Sequence, residues 1–132
     1  MQANATDRIL VLSNARVDGS LRRSLNARGF AVTFEQNARE ALDQLSRSSF
    51  DVVVLDSVSI ADARDLIKRV RRVATFKAIP IVVFGEWGTG QPSVALSAGA
   101  DAFEPAPIEA SRLIEAISRL PRRRAAAAGR GQ

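Results

Sequence analysis

The chain contains no cysteine and no histidine. Without cysteine there are no disulfides and no thiolate metal sites. Without histidine there is no His-based triad, no histidine general base and none of the commonest zinc ligand. Most hydrolytic designs are therefore closed to this sequence, and it is not expected to be an enzyme. No apolar run approaches the roughly 20 residues that span a bilayer. The first residues lack the basic segment, apolar stretch and cleavage site of a secretory signal, so a cytoplasmic location is expected. Tryptophan occurs once, at Trp87.

What is present fits one ordinary folded domain. The 132 residues are 46% hydrophobic and 25% charged, the balance of a globular protein with room for a single core. The net charge is +5, and much of the excess is local. Arg122, Arg123, Arg124 and Arg130 lie in a tail rich in alanine and glycine, and Arg69, Arg71 and Arg72 lie in one helical segment. A basic tail after a folded unit reads as a solvated linker rather than a nucleic-acid interface. The expected domain is 8–121, with 1–7 and 122–132 as flexible termini or linker.

Periodicity divides the chain into alternating units. Ile9-Leu10-Val11-Leu12 reads as a strand that ends at Ser13-Asn14. Val17, Leu21 and Leu25 recur at helical spacing before Gly29, a C-terminal cap. Phe30 to Phe34 is a second strand, and Asn37 with Glu40 three residues on forms a helix N-terminus above Ala41, Leu42 and Leu45. The third strand, Asp51-Val52-Val53-Val54-Leu55-Asp56, is apolar on both pleat faces, as in a strand buried between helices. A helix at 61–74 places Leu66, Ile67, Val70 and Val73 inward and Lys68, Arg69, Arg71 and Arg72 outward. A strand follows from Ile79, with Pro80 at its start. The loop 85–90 precedes a short helix entered by Pro92. A weak strand through Ala102 and Phe103 leads to a helix at 108–120, with Leu113, Ile114, Ile117 and Leu120 inward. Strands alternating with helices imply βα repeats and a parallel sheet covered on both faces.

Asp56 stands where the third strand leaves the core, at the carboxyl edge of the sheet where ligands gather in open α/β folds. Two other features invite a functional reading. Gly85-Glu86-Trp87-Gly88-Thr89-Gly90 follows a strand and precedes a helix, but lacks both the P-loop ending and the Rossmann glycine spacing. Trp87 in that loop reads either as an interface anchor or as a lid folded over the neighbouring strand ends.

Across 8–120 the chain resembles the receiver domains of bacterial response regulators, a CheY-like family. The residues that carry the resemblance are Ile9-Leu10-Val11-Leu12, Leu21-Arg22-Arg23-Ser24-Leu25, Arg28-Gly29-Phe30 and Glu40-Ala41-Leu42. Phe50 through Asp56, Ile79-Pro80-Ile81-Val82-Val83, Ala98-Gly99-Ala100-Asp101 and Pro107 continue it. The resemblance implies a flavodoxin-like (βα)5 doubly wound sheet of five parallel strands in the order 2-1-3-4-5. It makes Asp56 the equivalent of the aspartate that accepts a phosphoryl group from a histidine kinase.

By the same resemblance the remaining site positions are degenerate. The acidic pair that holds Mg²⁺ falls on Ser13 and Asn14, whose neutral side chains do not suit a hard cation. The hydroxyl residue ending the fourth strand falls on Gly85, the phosphate-pairing lysine on Ala106 and the switch aromatic on Phe103. The usual turn after the acceptor is replaced by Ser57-Val58-Ser59-Ile60-Ala61-Asp62. The expectation is therefore a pseudo-receiver without cofactor or metal. It would be a two-component signalling module that contacts a protein partner (kinase, effector domain or other signalling protein) independently of phosphorylation. Its contact surface would be the fourth helix, fifth strand and fifth helix, with a homodimer among the assemblies allowed, and with neither nucleic acid nor membrane as partner.

Two further readings remain open. One is phosphorylation of Asp56, with Glu86 as a compensating ligand. The other is a small-molecule or nucleotide sensor using the crevice near Asn14, Asp56 and Gly85. If Asp56 is only a remnant, it should be a solvated carboxylate bonded to Asn14 or to backbone.

Overall fold

The computed structural model describes residues 7–13, 19–73, 78–86 and 90–120. Asn14 and Trp87 lie outside them, as do Val17, residues 1–6 and the tail 121–132. Five strands alternate with five helices: β1 (Asp7–Ser13), α1 (Gly19–Ala27), β2 (Phe30–Glu35), α2 (Ala38–Arg47), β3 (Val52–Asp56), α3 (Ile60–Arg72), β4 (Ile81–Gly85), α4 (Gln91–Ala98), β5 (Ala102–Pro105) and α5 (Ala110–Arg119). All strand pairs are parallel and their order is β2-β1-β3-β4-β5, as the resemblance implies.

Alternation along the strands builds two cores. Leu10, Leu12, Val53, Leu55, Ile81, Val83 and Phe103 point to one face, where Ala41, Leu45, Ala63, Leu66, Ile67, Val70 and Ala95 of α2, α3 and α4 cover them. Ile9, Val11, Val52, Val54, Val82 and Phe84 point to the other, under Leu25 of α1 and Leu113, Ala116 and Ile117 of α5. Every residue of β3 is buried, so the central strand has no wet face.

The helix starts follow their capping residues. Asn37 Oδ1 accepts the Glu40 N–H at 2.9 Å and Ser59 Oγ accepts the Asp62 N–H at 3.1 Å, each satisfying a donor the helix leaves free. Gly29 turns the chain out of α1 with φ 92°.

Several boundaries differ from the periodic reading. Val73 caps α3 and is 40% exposed instead of completing the buried stripe. Pro80 stays outside β4, although its carbonyl accepts the Val53 N–H at 3.0 Å. In β5 the strand continues through Glu104 to Pro105, because its neighbour β4 continues to Gly85 and pairs with it there.

The N-terminal edge of the sheet is tied by one side chain. Arg71, in the last turn of α3, donates to the Ile79 carbonyl (2.6 Å), to the Gly99 carbonyl (3.1 and 2.7 Å) and to Asp101 Oδ2 (2.9 Å). Asp101 Oδ2 also accepts the Ile81 N–H at 2.8 Å. The planar guanidinium thus joins α3 to the starts of β4 and β5 and to the end of α4, a geometry that lysine does not reproduce. Sequence reading placed Arg71 among the outward-facing cations, whereas its side chain is only 17% exposed.

Candidate functional site

At the opposite edge, β1 and β3 are paired in register Ser13↔Asp56. The pairing places the two side chains on the same pleat face, and Ser13 Oγ donates to Asp56 Oδ2 at 2.9 Å. Ser57 Oγ donates to Asp56 Oδ1 at a longer 3.2 Å. Ser57 has φ 58°, an uncommon backbone region for a residue with a Cβ, and its N–H is held by the Phe84 carbonyl at 3.1 Å.

Asp56 is 3% exposed and Ser13 is 2% exposed. The expected solvated carboxylate is thus a buried one, because the strand end is closed by its neighbours and two hydroxyls replace water. Two neutral donors satisfy the carboxylate oxygens without supplying positive charge. Sequence reading found Ser13 by its position but gave Ser57 no role. Its signal, a hydroxyl directly after the strand carboxylate, carries weight only when the backbone turns to aim it.

Gly85, Phe103 and Ala106 form a second group. Phe103 pairs in register with Val83, and Gly85 lies two residues further on the same pleat face. The ring leans along the sheet over the glycine, so that a Cβ at position 85 would lie 3.0 Å from Phe103 Cζ and 3.3 Å from Cε2. Phe103 is 8% exposed and belongs to the core under α3 and α4. The space beside Gly85 is therefore occupied by an aromatic ring, and the two residues fit as a pair. The Ala106 N–H donates to the Gly85 carbonyl at 2.7 Å; its side chain is a methyl group and brings no cation. Arg112, unmarked by the sequence reading, is held by the Pro105 carbonyl at 3.1 Å and sits 3.7 Å from Glu109.

A cavity of about 220 Å³ opens nearby, lined by Leu12, Gln36, Asn37, Ala38, Val58, Asp62 and Asp65. Asp56 and Gly85 are not among its lining residues. Among the described residues no three carboxylates converge as a cation site, and Glu86 is exposed at the end of β4. One buried carboxylate already engaged by two hydroxyls is a poor donor set for Mg²⁺, which wants several oxygens in near-octahedral array. Among the described residues no helix is long and apolar enough to cross a membrane.

No family model matches the chain. It is 36% identical over 128 residues to the response regulator MprA of Mycolicibacterium vanbaalenii, covering 95% of this chain and 54% of that protein. The chain thus spans about half the length of the curated relatives it matches. Among solved structures it resembles the chemotaxis response regulator CheY4 of Vibrio cholerae, with a TM-score of 0.77 at 20% identity over 87% of this chain and 98% of that one. It also resembles the receiver domain of a sensor histidine kinase from Pseudomonas aeruginosa, solved with magnesium in its active-site cleft, with a TM-score of 0.75 at 19% identity over 88% of this chain and 98% of that one. The strand order and these likenesses give the chain the CheY-like, flavodoxin-like fold, and its sequence is similar to about half the length of known response regulators.

Proposed function

We propose that this chain is a receiver domain of two-component signalling, and a pseudo-receiver that acts by contact with a protein partner and without phosphoryl transfer to Asp56. The observation that carries the reading is the closed surrounding of Asp56. Its oxygens are bonded to the hydroxyls of Ser13 and Ser57, and it is 3% exposed. Phosphoryl transfer depends on positioning the donor and neutralising the charge spread over its equatorial oxygens. Gly85 and Ala106 bring neither a hydroxyl nor a cation, and the donor set does not fit a magnesium ion. Loss of one comparable electrostatic partner costs roughly 2.7–4 kcal/mol of transition-state stabilisation, so several missing together remove a useful rate.

Without that chemistry the domain is not an enzyme and uses no cofactor, and what it offers is surface. The surface of α4, β5 and α5 is the contact face in this reading, with a kinase, an effector domain, another signalling protein or a second copy as its occupant in the cytoplasm. The Phe103 ring is seated over Gly85 in the core beneath α4.

The second reading, phosphorylation of Asp56 by a histidine kinase, is favoured by the likeness to MprA, which is itself a response regulator. Incubation with acetyl phosphate and Mg²⁺, followed by intact-mass analysis, separates the two. The expected result is an unmodified chain under conditions that phosphorylate an ordinary receiver. A phosphoryl adduct that disappears in Asp56→Asn would overturn the pseudo-receiver reading.

A further inference from the structure

The surface shared by α3 and α4 carries a charge pattern that no described residue answers. Arg64, Lys68 and Arg72 recur every fourth residue along α3 and are all exposed. At 1.5 Å per residue their attachment points stand about 6 Å apart along one helix flank. None of the three has a hydrogen bond or ion pair with a described residue. The acidic residues of α3 lie elsewhere: Asp65 pairs with Arg69 at 3.1 Å, and Asp62 and Asp65 line the cavity shared with the start of α2.

Helix α4, Gln-Pro-Ser-Val-Ala-Leu-Ser-Ala, contains no charged residue. A Cβ at Gly99 would lie 3.3 Å from Arg71 Cγ and from Ile67 Cγ2, so the flank of α4 that ends at Gly99 faces α3. Leu96 lies in the last turn of α4, three residues before Gly99. Leu96 (48% exposed) and Val73 (40%) are the large exposed apolar residues among those described. Exposed cations and exposed apolar groups therefore lie on the same two packed helices and the cap of α3. The two helices are also fixed relative to each other, since the Arg71 guanidinium holds the Gly99 carbonyl, which limits the ordering cost of binding.

We propose that this α3–α4 face is a docking surface for an acidic segment of a partner protein, with carboxylates on Arg64, Lys68 and Arg72 and an apolar side chain on Leu96. Charge decides the occupant. A second copy docked by the same patch would set cations against cations. The chain's own C-terminal segment, with Arg122, Arg123, Arg124 and Arg130, is repelled for the same reason. Nucleic acid would use the cations and leave Leu96 and Val73 without a role. The inference rests on the reading of the domain as a protein-contact module but needs nothing from Asp56, so its test uses the unphosphorylated chain.

The probe is a set of fluorescein-labelled helical peptides with glutamate at three positions spaced by four and one leucine. A lysine-substituted version and a 12-base-pair duplex DNA serve as competitors, and anisotropy is the readout. The glutamate peptide is expected to bind and the lysine peptide not to. Affinity should fall at least tenfold in Arg64→Glu/Lys68→Glu and severalfold in Leu96→Ser. These sites are exposed, and circular dichroism and thermal melting should match the parent.

Carbodiimide coupling adds an independent readout, because the chain has only Lys68 and Lys77 as lysine amines; the peptide is expected on Lys68. No binding above the lysine peptide, binding that survives the double charge reversal, or DNA binding tighter than peptide binding would each overturn the proposal. Failure here leaves the assignment of Asp56 standing, since that is decided by the acetyl phosphate experiment.

Discussion

At the N-terminal edge of the sheet Asp101 is met by the Arg71 guanidinium and the Ile81 amide, whereas at the C-terminal edge the described partners of Asp56 are two hydroxyls. Both carboxylates are almost fully buried. The first is a charge matched by a charge, and it joins α3, β4, α4 and β5. The second is a carboxylate held by neutral donors, and through Ser13 it joins the ends of β1 and β3. Neutral groups surround the carboxylate at one edge, while the other edge has an ion pair that ties its helices to the strands. Two buried carboxylates of one sheet thus stand in opposite electrostatic settings.

Removing the clamp should have the largest effect. Arg71→Ala leaves Asp101 buried without its cation and frees the Gly99 and Ile79 carbonyls. The expected loss is about 3–5 kcal/mol of unfolding free energy in urea titration. Asp101→Asn, which keeps the shape but not the charge, should cost about 2 kcal/mol. A loss below about 1 kcal/mol for Arg71→Ala would mean that the clamp carries no structural weight.

The opposite edge has its own steric lock. Gly85→Thr would bring a Cβ to 3.0 Å from Phe103 Cζ and should destabilise by about 2 kcal/mol through overpacking. Most of that cost should vanish in a Phe103→Leu background, a coupling measured by a double-mutant cycle. Strict additivity would break the pairing of these two positions.

The smallest effect is expected at the landmark residue. Asp56→Asn keeps an acceptor for Ser13 and removes a buried charge that no described cation balances, so stability should change by less than about 1 kcal/mol. The contrast between Asp56→Asn and Asp101→Asn in one urea series tests the comparison directly, and equal losses would erase it.

Much of the fold was legible in the residues. The both-face apolar run of β3, the cap at Asn37 and the C-terminal turn at Gly29 follow from local chemistry, and each stands where periodicity places it. The misjudged features share one cause. Arg71 looks like a solvated cation, Val73 like a core residue and Ser57 like a turn filler because helical or strand period is blind to what approaches from another element.

The sequence by itself determined the alternation of strands and helices, the absence of thiol and imidazole chemistry, and the neutral side chains at Ser13, Gly85 and Ala106. These depend only on residue type and spacing. Tertiary structure decided that Asp56 is buried under hydroxyls, that Phe103 occupies the space above Gly85, and that Arg71 turns inward while Arg64 and Lys68 remain on the surface. Burial and pairing of a charged group depend on strand register and helix packing, in which residues 20 to 43 positions apart meet.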